Sequence, residues 1–149
     1  MKKTIILLTA IVLTGQLYAQ SELIRAQQTV QQSIIKLFDA LSNRDSVSLK
    51  VYSTADITLY EYGQLWTIDT LILKAITLNQ SADFKRTNSF EFINTTVDKT
   101  IAWVTYRLQS VITKDEKLST VQWLETVVLV KVKKQWKVKH LHSTLIKRS

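Results

Sequence analysis

Both histidines of the chain stand in one ten-residue stretch, "WKVKHLHSTL" (136–145), as His140 and His142. The stretch has the alternation of a strand, so the two imidazoles point to the same side. Such a pair could begin a zinc, copper or iron site. It could also serve as acid and base, because histidine titrates near neutral pH. A metal would need a third ligand. No third histidine exists, so Glu125 on the preceding strand is the natural donor. Its reach depends on register. A two-residue turn at Lys133 and Lys134 sets Glu125 opposite His142. A three-residue turn from Lys133 to Gln135 sets Thr126 there and turns Glu125 away. The second register aligns Val128, Val130 and Val132 with Trp136 and Val138, so hydrophobic matching favours it. No metal or other cofactor is therefore expected. The bland alternative is that the histidines end the sheet at a pocket rim, bonded to Ser143, Thr144 or Thr126. They face inward if Trp136 and Val138 do.

The aromatic residues are the other candidates for chemistry. Tyr60, Trp66 and Tyr106 combine apolar rings with polar tips, which suits the lining of a pocket. Glu125 joins them as a candidate ligand contact. Along residues 101–112, Ala102, Val104, Tyr106, Leu108 and Ile112 share one side. Ile101, Trp103, Thr105, Arg107 and Gln109 share the other. Tryptophan beside arginine on a half-polar face is the composition of an interface, so Trp103 and Arg107 are expected at a dimer surface.

The elements that position these residues follow from hydrophobic spacing. Ile24, Gln27, Val30, Ile34, Leu37, Phe38 and Leu41 recur at three- and four-residue steps, which predicts a helix over 21–43 with Gln27 as the one polar break. "SNRD" ends it, and Asp45 can cap a short second helix to about Val51. "DITLYEYGQLW" reads as a hairpin turning at Gly63, where positive φ is accessible. Thr67 can cap a third helix, "IDTLILKAIT", with Leu71, Ile72, Ala75 and Ile76 buried. The period then drops to two. "KRTNSFEFINTTV", "TIAWVTYRLQSVIT", "LSTVQWLETVVLVKV" and "QWKVKHLHSTLI" predict four antiparallel strands. Helices first and strands last indicate α+β rather than alternating α/β.

The remaining features bound the setting. A basic start, the apolar run "TIILLTAIVLT" and the small-residue site "LYAQ" have the layout of a secretory signal peptide over 1–19, leaving a domain over 20–149. The run is shorter than the roughly 20 residues a bilayer span needs, so no stable membrane anchor is expected. The expected location is the periplasm or outside the cell. The chain has no cysteine, which excludes disulfides, thiol catalysis and a lipid-modified cysteine at the cleavage site. The formal charge of +8 becomes +6 without Lys2 and Lys3. Its excess sits in the final strands, where lysines blunt an edge, and an exported chain is not expected to bind nucleic acid. One glycine outside the leader, Gly63, cannot build a phosphate loop.

The order of elements resembles the nuclear-transport-factor-2-like superfamily, in its SnoaL-like and ketosteroid-isomerase-like branch. "LFDALSNRD" is similar to the end of that family's first helix. "ADITLYEYGQLW" is similar to its first hairpin, and "WLETVVLVKVKKQWKVKHLHST" to its last. The resemblance covers about residues 22–147. It implies a cone, a bent sheet wrapped around helices with a pocket at the open end, and a homodimer through the sheet's outer face. The expected role is binding a small organic ligand, or scaffolding as a dimer. The alternative is an isomerase, dehydratase or cyclase using His140 or His142 with Tyr60 or Tyr106. The family's acidic base has no residue-by-residue match here.

Overall fold

A computed structural model describes residues 2–149, with side chains from Gln20 onward. The expected leader over 1–19 falls outside the described side chains. The elements run α1 (Lys2–Ser42), α2 (Ser46–Tyr52), β1 (Ser53–Glu61), β2 (Gln64–Trp66), α3 (Ile68–Ile72), then β3 (Lys85–Asp98), β4 (Ile101–Lys114), β5 (Lys117–Val132) and β6 (Gln135–Arg148). Six strands form one sheet in the order β2-β1-β6-β5-β4-β3. All neighbours are antiparallel except β1 and β6, which are parallel.

The helix boundaries follow local chemistry. Asp45 accepts from the Val47 and Ser48 amides, each at 3.0 Å, and so caps α2. Thr67 caps α3 by accepting from the Thr70 amide. Arg44 ends α1 with φ 55°, the left-handed position that helices usually give to glycine. Its guanidinium donates to the Asn79 and Ser81 carbonyls at 2.8 and 3.1 Å, pinning the segment that follows α3. The third helix does not stay regular: Leu73–Thr77 is a π-helical turn.

The hairpins close tightly without glycine at most turn positions. Lys133 and Lys134 (φ 48° and 71°) join β5 to β6, and Asp115 and Glu116 (φ 53° and 61°) join β4 to β5. Tyr62 and Gly63 (φ 51° and 72°) join β1 to β2. Positive φ at both central residues matches the twist of the flanking strands.

One side of the sheet wraps α1. Val30, Ile34, Leu37 and Phe38 pack there against Val104, Leu108, Val127, Leu129 and Val138. Gln27, the polar break in the helical stripe, donates to the Thr95 carbonyl at 2.7 Å. Gln31 donates to the Thr95 hydroxyl at 2.9 Å. Both bonds lie just past the register shift between Phe92 and Asn94, so the two glutamines fasten the helix where the β3 ladder is irregular.

The register of the last hairpin differs from both simple expectations. The turn has two residues, with Val132 opposite Gln135, yet Thr126 lies opposite His142. The reconciliation is a bulge: Leu129 pairs with Val138 and Val128 with His140, leaving Lys139 as the extra residue. The inserted residue reverses parity along β6. Trp136 and Val138 point inward before it, and Leu141 and Ser143 after it. His140 and His142 consequently face outward, opposite to the expectation that they follow Trp136 and Val138. Lys139 pairs with Asp56 of β1, which holds the bulge from the neighbouring strand.

Candidate functional site

The inner face of the sheet carries a polar row across four strands. Tyr106 of β4 lies opposite Glu125 of β5, and Glu125 opposite Ser143 of β6. Ser143 donates to Glu125 Oε1 at 2.9 Å. Glu61, the last residue of β1, completes the row beside Ser143. Glu125 is only 3% exposed and Tyr106 is fully buried. The Tyr106 ring sits among the edges of Phe38, Phe90 and Phe92, with centroids 5.5 to 6.4 Å away. Its hydroxyl and Glu125 Oε2 have no hydrogen-bond partner of good geometry, although the two groups are close enough to affect each other's ionisation.

Two members of the row, Glu61 and Glu125, line a cavity of about 200 Å³. Phe38 and Leu41 of α1, Leu71 and Ala75 around α3, and the rings of Tyr62, Trp66 and Trp123 supply much of the rest. Arg86 of β3 also enters it. Its Nε donates to Asn88 Oδ1 and Ser110 Oγ at 3.0 and 3.1 Å. Its guanidinium lies 5.6 Å from both the Phe38 and Trp123 ring centroids. Aromatic faces thus orient the cation while its Nη atoms remain available.

Burial sets the protonation of this wall. Desolvation, and then the nearby Glu125 charge, push the Glu61 carboxyl up to about 7, against opposing help from Ser143 and Arg86. Desolvation also raises Glu125, opposed by Tyr106, Ser143 and Arg86. The Tyr106 phenol is held well above its ordinary value, first by burial and then by Glu125. A carboxyl that titrates near neutrality beside an apolar cavity can take up or release a proton at working pH.

The residues singled out from the sequence divide between the two faces. Trp66, Tyr106 and Glu125 belong to the inner side: Trp66 and Glu125 line the cavity, and Tyr106 lies behind Glu125. Tyr60, expected in the pocket, is 45% exposed on the outer face. There it contacts both histidines, with ring centroids 5.3 Å from His140 and 6.0 Å from His142. His140 Nδ1 is 2.8 Å from the Thr58 hydroxyl. Glu125 turns away from His142, as the pairing of Thr126 with His142 requires, but it is Glu125 that faces in and the histidines that face out. The three residues of the metal alternative therefore point to opposite faces. Glu61 and Arg86 were missed, though alternation contained both. Ile57, Leu59 and Glu61 share one side of β1, and Arg86, Asn88, Phe90 and Phe92 share one side of β3.

The same architecture recurs in solved structures. A nuclear-transport-factor-2-like protein from Cytophaga hutchinsonii aligns with TM-score 0.66 at 21% identity, over 80% of this chain and 97% of its own. A ketosteroid isomerase-like protein from Erwinia carotovora atroseptica gives 0.66 at 14%, over 81% and 96%. The S. rosetta CaMKII hub gives 0.65 at 22%, over 80% and 96%. These likenesses establish a shared fold at distant sequence. No curated protein matches the sequence. The SnoaL-like domain model matches residues 30–146, from the middle of α1 to the end of β6 and so across the whole cavity. With its bent six-stranded sheet closed over α1, the chain thus belongs to the SnoaL-like domain family, within the nuclear-transport-factor-2-like superfamily.

Proposed function

We propose that the chain binds a small organic molecule in the cavity between Glu61, Glu125 and the aromatic walls. The observation that carries this reading is a concave, mostly apolar chamber holding a few converging polar groups. Native mass spectrometry of protein recovered from a periplasmic extract tests it. The expected result is a retained organic adduct that is absent from Ala75→Phe, which fills the chamber. A bare wild type, with no difference between the two proteins, counts against the reading. The same spectrum tests export, since removal of the expected leader leaves a chain starting at Gln20.

A second reading is proton transfer of the isomerase, dehydratase or cyclase kind. It is favoured by the position of Glu61 at the cavity wall, where burial pushes its carboxyl up to about 7. In this reading Glu61 takes a proton from carbon next to a ligand carbonyl, and the buried Glu125–Tyr106 pair lies behind the developing oxyanion. The histidines are on the other face and take no part. Exchange of the α-protons of 2-tetralone in D2O, followed by NMR, measures this chemistry without knowledge of the substrate. Glu61→Gln should abolish protein-dependent exchange. Exchange that survives the substitution removes Glu61 from the mechanism.

The outer face supports a homodimer in the same proposal. Ile101 and Trp103, 41 and 42% exposed, lie opposite Val130 and Val128 as an apolar patch, and further along the same face Arg107 lies opposite Leu124. A second copy of the chain would cover it. Trp103→Glu should shift the mass in solution from dimer to monomer.

A further inference from the structure

The cavity described above does not end at Arg86. Lys74, Arg86, Leu41 and Ala75 also line a second chamber, of about 330 Å³, at the end of the sheet. Its remaining charged lining is Lys114 from the end of β4 and Arg148 from the end of β6. Four cationic side chains thus surround this chamber, and no acidic side chain lines it.

The arrangement is not a set of ion pairs facing inward by chance. Among the described residues, the salt bridges use Arg25, Lys50, Arg107 and Lys139, and none of these four. Each of three is placed by a neutral contact. Arg86 is bracketed by Phe38 and Trp123. Lys74 lies 4.3 Å from the Trp66 ring centroid. Arg148 donates to the Tyr62 hydroxyl at 3.1 Å. The nearby Asp83 is already committed, accepting from the Asp115 and Glu116 amides at 2.9 and 2.8 Å. Arg86 feels the Glu61 and Glu125 carboxyls from the first chamber, but no acid lines the second, and cations gathered so in a concavity raise the local concentration of anions. Guanidinium forks favour planar or tetrahedral oxyanions.

We propose that the two chambers form one site for an amphiphilic organic anion, with its carboxylate or phosphate monoester held among Lys74, Arg86, Lys114 and Arg148 and its apolar body lying between Trp66, Trp123 and Phe38. The inference rests on the small-ligand reading and names the class of ligand. The polarity follows from charge. An anionic head placed in the first chamber would meet Glu61 and Glu125, whereas an apolar body there meets rings. Arg86 stands at the junction and touches both parts.

Tryptophan fluorescence titration of the full chain with three probes tests the proposal: 1-naphthylacetate, 1-naphthyl phosphate and the neutral 1-naphthylacetamide. At least one anion should bind about tenfold or more tightly than the amide, and the tighter anion identifies the head group. The readout in variants is the anion-to-amide affinity ratio. Lys114→Gln and Arg148→Gln should each lower that ratio at least threefold. Both positions are exposed at strand ends, and their folding is checked by circular dichroism. Equal affinities for anion and amide would overturn the proposal and leave the small-ligand reading intact. A ratio unchanged in both variants would overturn the assignment of the basic chamber. Saturation by none of the three probes at millimolar concentration would overturn this proposal and the ligand reading together.

Discussion

The two faces of β1, β5 and β6 carry different titratable clusters built from alternate residues. Inside are Glu61, Glu125 and Ser143; outside are Tyr60, His140 and His142. By residue type the outer cluster looks the more reactive, since it holds both histidines and a phenol. Yet Tyr60 and His142 are open to solvent and His140 is half-buried, and beyond the Thr58 hydroxyl what they contact is mainly one another. The inner cluster consists of ordinary carboxyls, but burial holds Glu61 protonated up to about pH 7 and places it against a cavity. Chemistry in this fold is conferred by the side of the sheet a residue faces, more than by the residue's intrinsic pKa.

The sharpest way to break that comparison is to insert one alanine between His140 and Leu141. The insertion reverses parity beyond it, turning Leu141 and Ser143 outward and His142 toward the core. The expected loss is roughly 4 kcal/mol or more, measured by urea denaturation. A variant as stable as the parent would show that strand parity does not set the facing, whereas deletion of Lys139 removes only the bulge and should keep it.

A smaller effect separates the clusters by pH. Below pH 4.5 Glu61 is protonated in both folded and unfolded chains. As pH rises toward about 7 the unfolded chain ionises first, so the folded state loses stability, and above that the loss is complete. The loss attributable to Glu61 is about 2 kcal/mol once solvent at its partly exposed edge is allowed for. Glu125, also raised, acts in the same direction. Glu61→Gln should flatten most of this slope between pH 5 and 8. An unchanged slope would mean that Glu61 is not the group responsible.

The smallest effects are expected outside. His140→Ala loses its contact with Thr58 and should cost about 1 kcal/mol, and His142→Ala about 0.5 or less. Neither should alter ligand binding in the cavity. A large loss of binding in His142→Ala would erase the distinction between the faces.

Much of this was legible in the sequence. The helix spacing from Ile24 to Leu41, the caps at Asp45 and Thr67, the turn at Gly63 and the four final strands all correspond to elements of the structure. These features are local, and short-range propensity decides them. Matching valines to Trp136 and Val138 led to the pairing of Thr126 with His142, although Val138 and Trp136 lie opposite Leu129 and Lys131 instead. What it could not find was how that pairing arises. A two-residue turn and a bulge give the same partner as a longer turn, but put the histidines on the face opposite Trp136 and Val138 instead of on the same one. The two-residue turn was legible only as one option, because left-handed lysines at 133 and 134 are not favoured by type. Glu61 was passed over because Tyr60 beside it looked like the functional residue, although Ile57 and Leu59 already fixed which of the two points inward. Arg86 was passed over because a charged residue in a strand reads as solvated until two aromatic rings are seen to enclose it.

The single extra residue at Lys139 also bears on how relatives of this chain should be compared. A homologue lacking it will differ by a gap of one somewhere between positions 136 and 143. The location of that gap is a structural statement. Placed at 139, it equates inward residues with inward residues. Placed after the histidines, it equates Ser143 correctly but pairs His140 and Leu141 with neighbours from the wrong face. Conservation scores over this strand would then mix a buried wall with an exposed surface. Alignments should be anchored on Trp136, Val138, Leu141 and Ser143 before any histidine in a relative is taken as equivalent to His140 or His142.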